Sequence, residues 1–272
     1  MLKTRILTAV ILAPIAIVLV FFAPPWMFRL TAALLLMIGC WEFHRLANLK
    51  AAATWVLYSL QAALIILMYL NWEKLDTYAG AILTASCIAW GLMFLRLIAF
   101  RDKQAAGKRF QIVSFVSALA AITFCWFALC WLRDQEHGDF LLLLLLFIIW
   151  AADVGAYFSG RQFGKTRLAP VISPKKTWEG VLGGIVLAGI VAILLNRFTA
   201  AVDASAASLL VLTAVTVMTS IGGDLFISVH KRTVKLKDAG SLFPGHGGVL
   251  DRLDSLLPGS AFFALGIWIL GS

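Results

Sequence analysis

Apolar residues fall along this chain in long blocks separated by short polar breaks, at about 6–23, 27–43, 53–70, 79–99, 111–131, 139–159, 179–196, 207–227 and 256–271. A helix needs about 20 predominantly apolar residues to cross the hydrocarbon layer, and these blocks are too long and too numerous to be the core of a soluble fold. The pattern predicts an all-α polytopic integral membrane protein with about nine transmembrane helices. Lys3 and Arg5 ahead of the first block give it a superficial likeness to a signal peptide. That block is longer than a signal-peptide core and lacks a clear small-residue cleavage pattern, so it is expected to be a retained first helix. Pro24, Pro25 and Trp26 form an interfacial turn before the next span.

Composition strengthens this picture without changing it. The 272 residues are 61% hydrophobic and 14% charged, and the mean hydropathy is +0.92, well outside the globular range. Helices of this length consume most of the chain, so a single integral membrane domain is expected over 1–272. Residues 1–138 are mainly scaffold helices, and 139–272 carry catalytic helices and cytoplasmic loops. Cys40, Cys87, Cys125 and Cys130 lie inside apolar blocks without the paired spacing of a zinc site, and are expected to be small core hydrophobes.

Charge adds orientation. With the N-terminus cytoplasmic, all but Arg29, Lys74, Arg133 and Arg197 of the 23 Lys and Arg fall on the cytoplasmic side. The positive-inside rule therefore predicts a cytoplasmic N-terminus and a C-terminus outside. The net charge of +9 is dispersed through loops beside membrane helices, not gathered into one soluble patch, so anionic lipid is the simpler partner than nucleic acid.

Two cytoplasmic connections exceed what topology needs, Ser159 to Gly180 and Ser228 to Ser255. Each follows a span with an embedded carboxylate, Asp153 or Asp224, and an ionised acid there is costly unless paired or metal-bound. A helix continuing past Asp224 places Asp224, Ser228, Lys231 and Lys235 on one face. Gly222 and Gly223 would let a backbone or a ligand come close. The plainer alternative is that Asp224 only pairs with Lys231 or Arg232.

The second connection ends in Pro244-Gly245-His246-Gly247-Gly248 and then Asp251-Arg252-Leu253-Asp254. Glycine N–H groups ahead of a helix start could cradle phosphate, and Asp251 and Asp254, sharing a face at i and i+3, could hold Mg²⁺ as hard oxygen ligands. Acids in a first helical turn are equally ordinary capping choices. His246 suits phosphate contact better than general-base work, because a phosphate monoester nucleophile is already ionised near neutral pH. In the first connection, Gly160-Arg161-Gln162-Phe163-Gly164-Lys165-Thr166 is not a P-loop: the glycines are one residue too close and no strand precedes them. Ser173-Pro174-Lys175-Lys176 has the form of an N-cap, a proline at N1 and two cations. It predicts that the seventh span opens on a backbone anion site reinforced by two ammonium groups, with Glu179 holding Lys176.

The stretch from Ser228 to Asp254, S-V-H-K-R-T-V-K-L-K-D-A-G-S-L-F-P-G-H-G-G-V-L-D-R-L-D, closely resembles the phosphatidate cytidylyltransferase signature. The resemblance rests on Ser228, Lys231-Arg232, Lys237-Asp238, Pro244, His246-Gly247-Gly248 and Asp251-Arg252-x-Asp254. A second stretch, Trp150 to Asp153 and on through Ser173 to Gly180, is similar to the same family. His230 departs from it, standing where the family usually has an apolar residue. The resemblance implies condensation of CTP with phosphatidate to give CDP-diacylglycerol and pyrophosphate. It implies Mg²⁺ on Asp224 and Asp251, with Asp254 and Asp238 as further ligands or orienting groups. Lys231, Arg232 and His246 join those two aspartates as catalytic candidates. Ser173, Lys175, Lys176, Ser228, Lys237, Gly247, Gly248 and Arg252 would hold the substrates, supported by Asp153. A homodimer in a bacterial cytoplasmic membrane is the further expectation.

Three rival readings differ from this one. A CDP-alcohol phosphotransferase would need D-G-x₂-A-R with its later aspartates, which Asp251-Arg252 does not continue. A CTP-dependent polyprenol or phytol kinase is closer in architecture and would use CTP as a phosphoryl donor. An ion-coupled transporter would polarise the outer half of its path as well as Asp153 and Asp224, and that half stays apolar.

Overall fold

The computed structural model describes residues 13–100, 106–240, 242 and 247–271. Eight helices in it are long and apolar enough to cross a membrane. In chain order the elements are α1 (Ala13–Phe22), α2 (Pro25–Leu46), α3 (Ala51–Leu70), a short α4 (Trp72–Thr77), α5 (Ala79–Ala99), α6 (Lys108–Asp134) and α7 (Gly138–Phe163). There follow β1 (Arg167–Ala169), β2 (Ser173–Thr177), α8 (Trp178–Thr199), α9 (Ala206–Thr233), α10 (Leu250–Leu253) and α11 (Leu256–Gly271). The last two form one apolar run, Leu250–Gly271. The fold is an all-α membrane bundle, and the expected spans from 27–43 onward sit inside the observed helices, which run a few residues further at most ends, while the first expected span, 6–23, falls partly outside the described residues. Pro25 occupies the first turn of α2, where its missing N–H costs nothing and its fixed φ suits a helix start.

Large apolar side chains cover the outside of this bundle as well as its centre. Trp26, Leu34, Leu70, Ile98, Leu182 and Phe198 are all exposed, while Trp90, Trp126, Phe43, Phe226 and Phe263 are fully buried. Helices apolar on every face belong in lipid, because water would not tolerate so continuous an apolar exterior. Cys40, Cys125 and Cys130 are buried free thiols, as expected, and Cys87 is half-buried.

Helix α6 runs through the middle of the bundle and packs on α2, α3, α5, α7 and α11. The most extensive contact is between α7 and α8, and small residues make it close. Gly180 and Gly184, one turn apart on α8, face the backbone of Ala156 and Ala152 on α7, and a methyl group added at Gly184 would stand 2.8 Å from the Ala152 carbonyl oxygen. Small residues four apart bring two helix backbones together where no hydrophobic effect drives them. Gly223 works similarly on α9, lying against the Asp254 carbonyl and Pro258 at the entry to α11. This meets the expectation of a close backbone approach there.

The helix start expected at Ser173 is not formed. Ser173–Thr177 is β2, paired antiparallel with β1 so that Arg167 faces Thr177 and Ala169 faces Ser173. Pro174 is tolerated in a two-stranded hairpin because an edge strand has N–H groups with no ladder partner to lose. The true N-cap of α8 is Thr177, whose side chain accepts a hydrogen bond from Gly180 N at 3.2 Å. Glu179 turns back to accept from Thr166 N at 3.1 Å, so it does not hold Lys176.

Candidate functional site

One end of the bundle collects the charged groups. Asp224 projects from the last third of α9 and forms an ion pair with Lys176 Nζ of β2 at 2.5 Å. Ser228, one turn further on, donates to Asp224 Oδ1 at 3.3 Å, so the helical spacing of these two delivers what it promised. Lys231 from the next turn reaches Asp251 Oδ1 at 2.9 Å. The chain then departs from the expected stripe. Helix α9 stops at Thr233 and Lys235 adopts a left-handed φ of 57°. Leu236 N donates to the Lys231 carbonyl at 2.8 Å, which closes the helix end and takes Lys235 off the face.

Strand geometry separates the two lysines expected to act together. Successive residues of an extended strand point to opposite sides: Lys176 turns inward to Asp224, whereas Lys175 is exposed. Arg232 anchors the hairpin, donating from Nε to the Ile172 carbonyl at 3.3 Å. Ser173 lies in β2, and Lys237 and Asp238 are exposed on the connection after α9.

Asp251 is held on every side. Its Oδ1 takes Lys231, and its Oδ2 accepts from Ala239 N and Gly248 N, each at 2.9 Å. Val249 N and Leu250 N donate to the Glu42 carboxylate of α2 at 3.1 and 2.8 Å. The backbone cradle expected for phosphate at Gly248 is therefore taken by the chain's own carboxylates, since a helix start that finds an internal acid has already satisfied its orphan N–H groups. Gly247, with φ of 82°, is the one glycine among the described residues in the left-handed region, and it turns the chain into this helix start. His246 and Pro244 lie outside the described residues.

Two more carboxylates complete the cluster. Asp254 is buried, with Asp224, Lys231 and Lys176 as its charged neighbours. Asp153, on the exposed side of α7, interacts with Lys176, Asp224 and Arg252. Four acids from α7, α9 and the α10–α11 entry thus share Lys176, Lys231 and Arg252. Among the described residues no group of three or more His, Cys, Asp or Glu is arranged to hold a metal ion.

A profile of the cytidylyltransferase family matches residues 3–270 of the chain. The chain belongs to that family. It is a membrane-embedded nucleotidyltransferase, and the family's reach includes the N-terminal helices, where the signature residues gave no hint. Phosphatidate cytidylyltransferase of Haemophilus influenzae is 34% identical over 281 residues, spanning 97% of this chain and 98% of its own. The Pseudomonas aeruginosa protein of the same name is 34% identical over 272 residues, covering 100% and 98%. That of Thermotoga maritima is 33% identical over 261 residues, covering 94% and 92%.

Within this cytidylyltransferase, reading the sequence passed over three contributors. Glu42 carries the same signal that marked Asp153 and Asp224, an acid inside an apolar span, and that signal would have found it. Arg96 of α5 bonds His230 Nε2 at 3.2 Å, and Ser114 of α6 reaches the same nitrogen at 3.1 Å. Phe43, Phe110 and Phe226 enclose the His230 ring. Since the Phe226 carbonyl can only accept, His230 Nδ1 carries the proton in that 2.8 Å bond, which leaves Nε2 to accept from Arg96. His230, directly before Lys231, is thereby pinned to helices of the first half.

Proposed function

We propose that this enzyme condenses CTP with phosphatidate to give CDP-diacylglycerol and pyrophosphate, a reading supported by the name phosphatidate cytidylyltransferase that its relatives carry. The observation that carries this reading is the pairing of two aspartates with two lysines, Asp224 with Lys176 and Asp251 with Lys231, at one end of the apolar bundle. Two substrates of high negative charge need cations, and a lipid substrate needs them beside the membrane. A phosphate oxygen of phosphatidate forms a bond to the α-phosphorus of CTP as the bond to pyrophosphate breaks. No base is needed to generate an already ionised nucleophile, so positioning and charge neutralisation are the protein's main tasks.

Lys176 and Lys231 are the groups placed to take phosphate oxygens, each exchanging its aspartate for substrate. Arg252 adds charge beside Asp153. Lys175, Lys237 and Arg232, all exposed, draw CTP from water, and the signature spacing adds His246 as a phosphate contact. Ser228 steadies Asp224. Asp224, Asp251 and Asp254 offer hard oxygen donors, with exposed Asp238 at the rim. Mg²⁺ is commonly held by one or two carboxylates together with substrate phosphates, so this donor set fits it without a cage of three. When bound, the ion neutralises charge developing on the transferred and leaving phosphates.

The site faces the cytoplasm in this reading, with nine spans, the N-terminus inside and the C-terminus outside, in a bacterial cytoplasmic membrane. A homodimer completes it. The test is purified protein with CTP, phosphatidate and Mg²⁺. CDP-diacylglycerol and pyrophosphate in equal amounts are expected. Release of CDP with a phosphorylated lipid would make the chain a kinase, and no product from folded protein would overturn the reading.

A further inference from the structure

Glu42 is 6% exposed inside an apolar helix of the first half of the chain, and no step of the reaction above uses it. A buried carboxylate in such a place persists where strong donors repay its desolvation. Glu42 has two, Val249 N on Oε1 at 3.1 Å and Leu250 N on Oε2 at 2.8 Å, across more than 200 positions of sequence. They are the N–H groups that open the α10–α11 run, one and two residues ahead of Asp251. Gly240 and Gly248 flank the same carboxylate, and a methyl group on either would overlap its oxygens. Neither glycine has a positive φ, so closeness to Glu42 is what their missing side chains permit.

Asp251 grips this segment from its other side through Ala239 N and Gly248 N, both at 2.9 Å. The turn that carries Asp251 is thus clasped between two acids, one from the site and one from α2. We infer that Glu42 is a positioning residue for Asp251: it clamps the start of α10 to α2 and so sets where Asp251 stands against Lys231. Without it, two backbone donors lose their acceptors and the turn is free to swing. Displacements on the order of 0.5 Å are enough to spoil a catalytic constellation.

The inference rests on the proposed reaction, so native protein is assayed first, and native silence counts against that reading alone. With native protein active, Glu42→Ala is expected to lower kcat by about 10- to 100-fold, the range for residues that orient a ligand without touching substrate, with KM for CTP within about threefold. Glu42→Gln keeps the shape and one acceptor and is expected to restore kcat to within about tenfold of native. Gly240→Ala supplies a readout that a merely structural Glu42 would not move. It is expected to lower kcat at least about tenfold in the native background and less than about twofold when added to Glu42→Ala, where the carboxylate it strikes is gone. The inference is overturned if Glu42→Ala has native kcat within about twofold, or if Gly240→Ala costs the same in both backgrounds. Where Glu42→Ala does not fold, Glu42→Asp, which draws the carboxylate back from Val249 N and Leu250 N and from Gly240, takes its place under the same criterion.

Discussion

Both ends of the bundle hold ion pairs, yet they are built differently. At the end away from the site, Arg29 of α2 pairs with Asp134 of α6, and Asp134 Oδ2 also accepts from Trp72 Nε1 at 2.8 Å. The Arg29 guanidinium stacks 4.4 Å above the Trp72 ring, and Trp126 Nε1 donates to the Arg29 carbonyl at 3.0 Å. One acid, one base and two indoles close on each other there, a clasp between helices. At the site end, Asp153, Asp224, Asp251 and Asp254 share Lys176, Lys231 and Arg252. Surplus acid held at membrane depth is costly as structure alone, and it becomes sensible where a cation and phosphates arrive. One acid matched to one base marks the clasp, and surplus acid marks the site.

The sharpest way to break this contrast is to remove charge without changing shape. Asp224→Asn and Asp251→Asn are each expected to lower turnover by about 10³-fold or more in protein that still folds, because each removes a group used with the substrates' charge. Near-native activity in either variant would take that aspartate out of the site. Next in size comes the strand. Lys176→Ala should cost about 100-fold in kcat/KM, whereas Lys175→Ala should cost less than about threefold, since only Lys176 turns inward to Asp224. Equal losses would restore the two-lysine helix start that the hairpin replaces.

Smaller effects probe the supports. His230→Leu strands Arg96 and the Ser114 hydroxyl and is expected to destabilise the protein by about 1–3 kcal/mol, with kcat changed by less than about threefold. Denaturation in detergent and steady-state kinetics on the same preparation would separate the two. Asp134→Asn at the far clasp should cost about 1 kcal/mol and leave kcat unchanged. A clear fall in kcat there would erase the distinction between the two ends.

Asp153 and Asp224 were legible as acids in apolar spans and Asp251 and Asp254 as a pair at a helix start, and the Ser228 to Asp254 spacing carried the family. What lay beyond reach was partnership. Ser173-Pro174 suits both a capped helix start and an edge strand, and only pairing with Arg167–Ala169 decides between them. The N–H groups before Asp251 looked open to phosphate because the acids that meet them, Asp251 itself at Gly248 and Glu42 of a distant helix at Val249 and Leu250, are brought there only by the fold. The His230 departure from the family pattern was visible, while its cage of Arg96, Ser114 and three phenylalanines was not.

Composition and periodicity on their own determined that the chain is a bundle of membrane-crossing helices, because hydrophobic length is a local property that lipid reads segment by segment. They also determined which residues carry charge at membrane depth. Tertiary structure alone decided which lysine meets which aspartate, that the hairpin turns Lys176 inward, and that α2 supplies the acid holding the turn before Asp251. Those outcomes depend on helices far apart in sequence meeting at one level, and no local pattern encodes the distance between them.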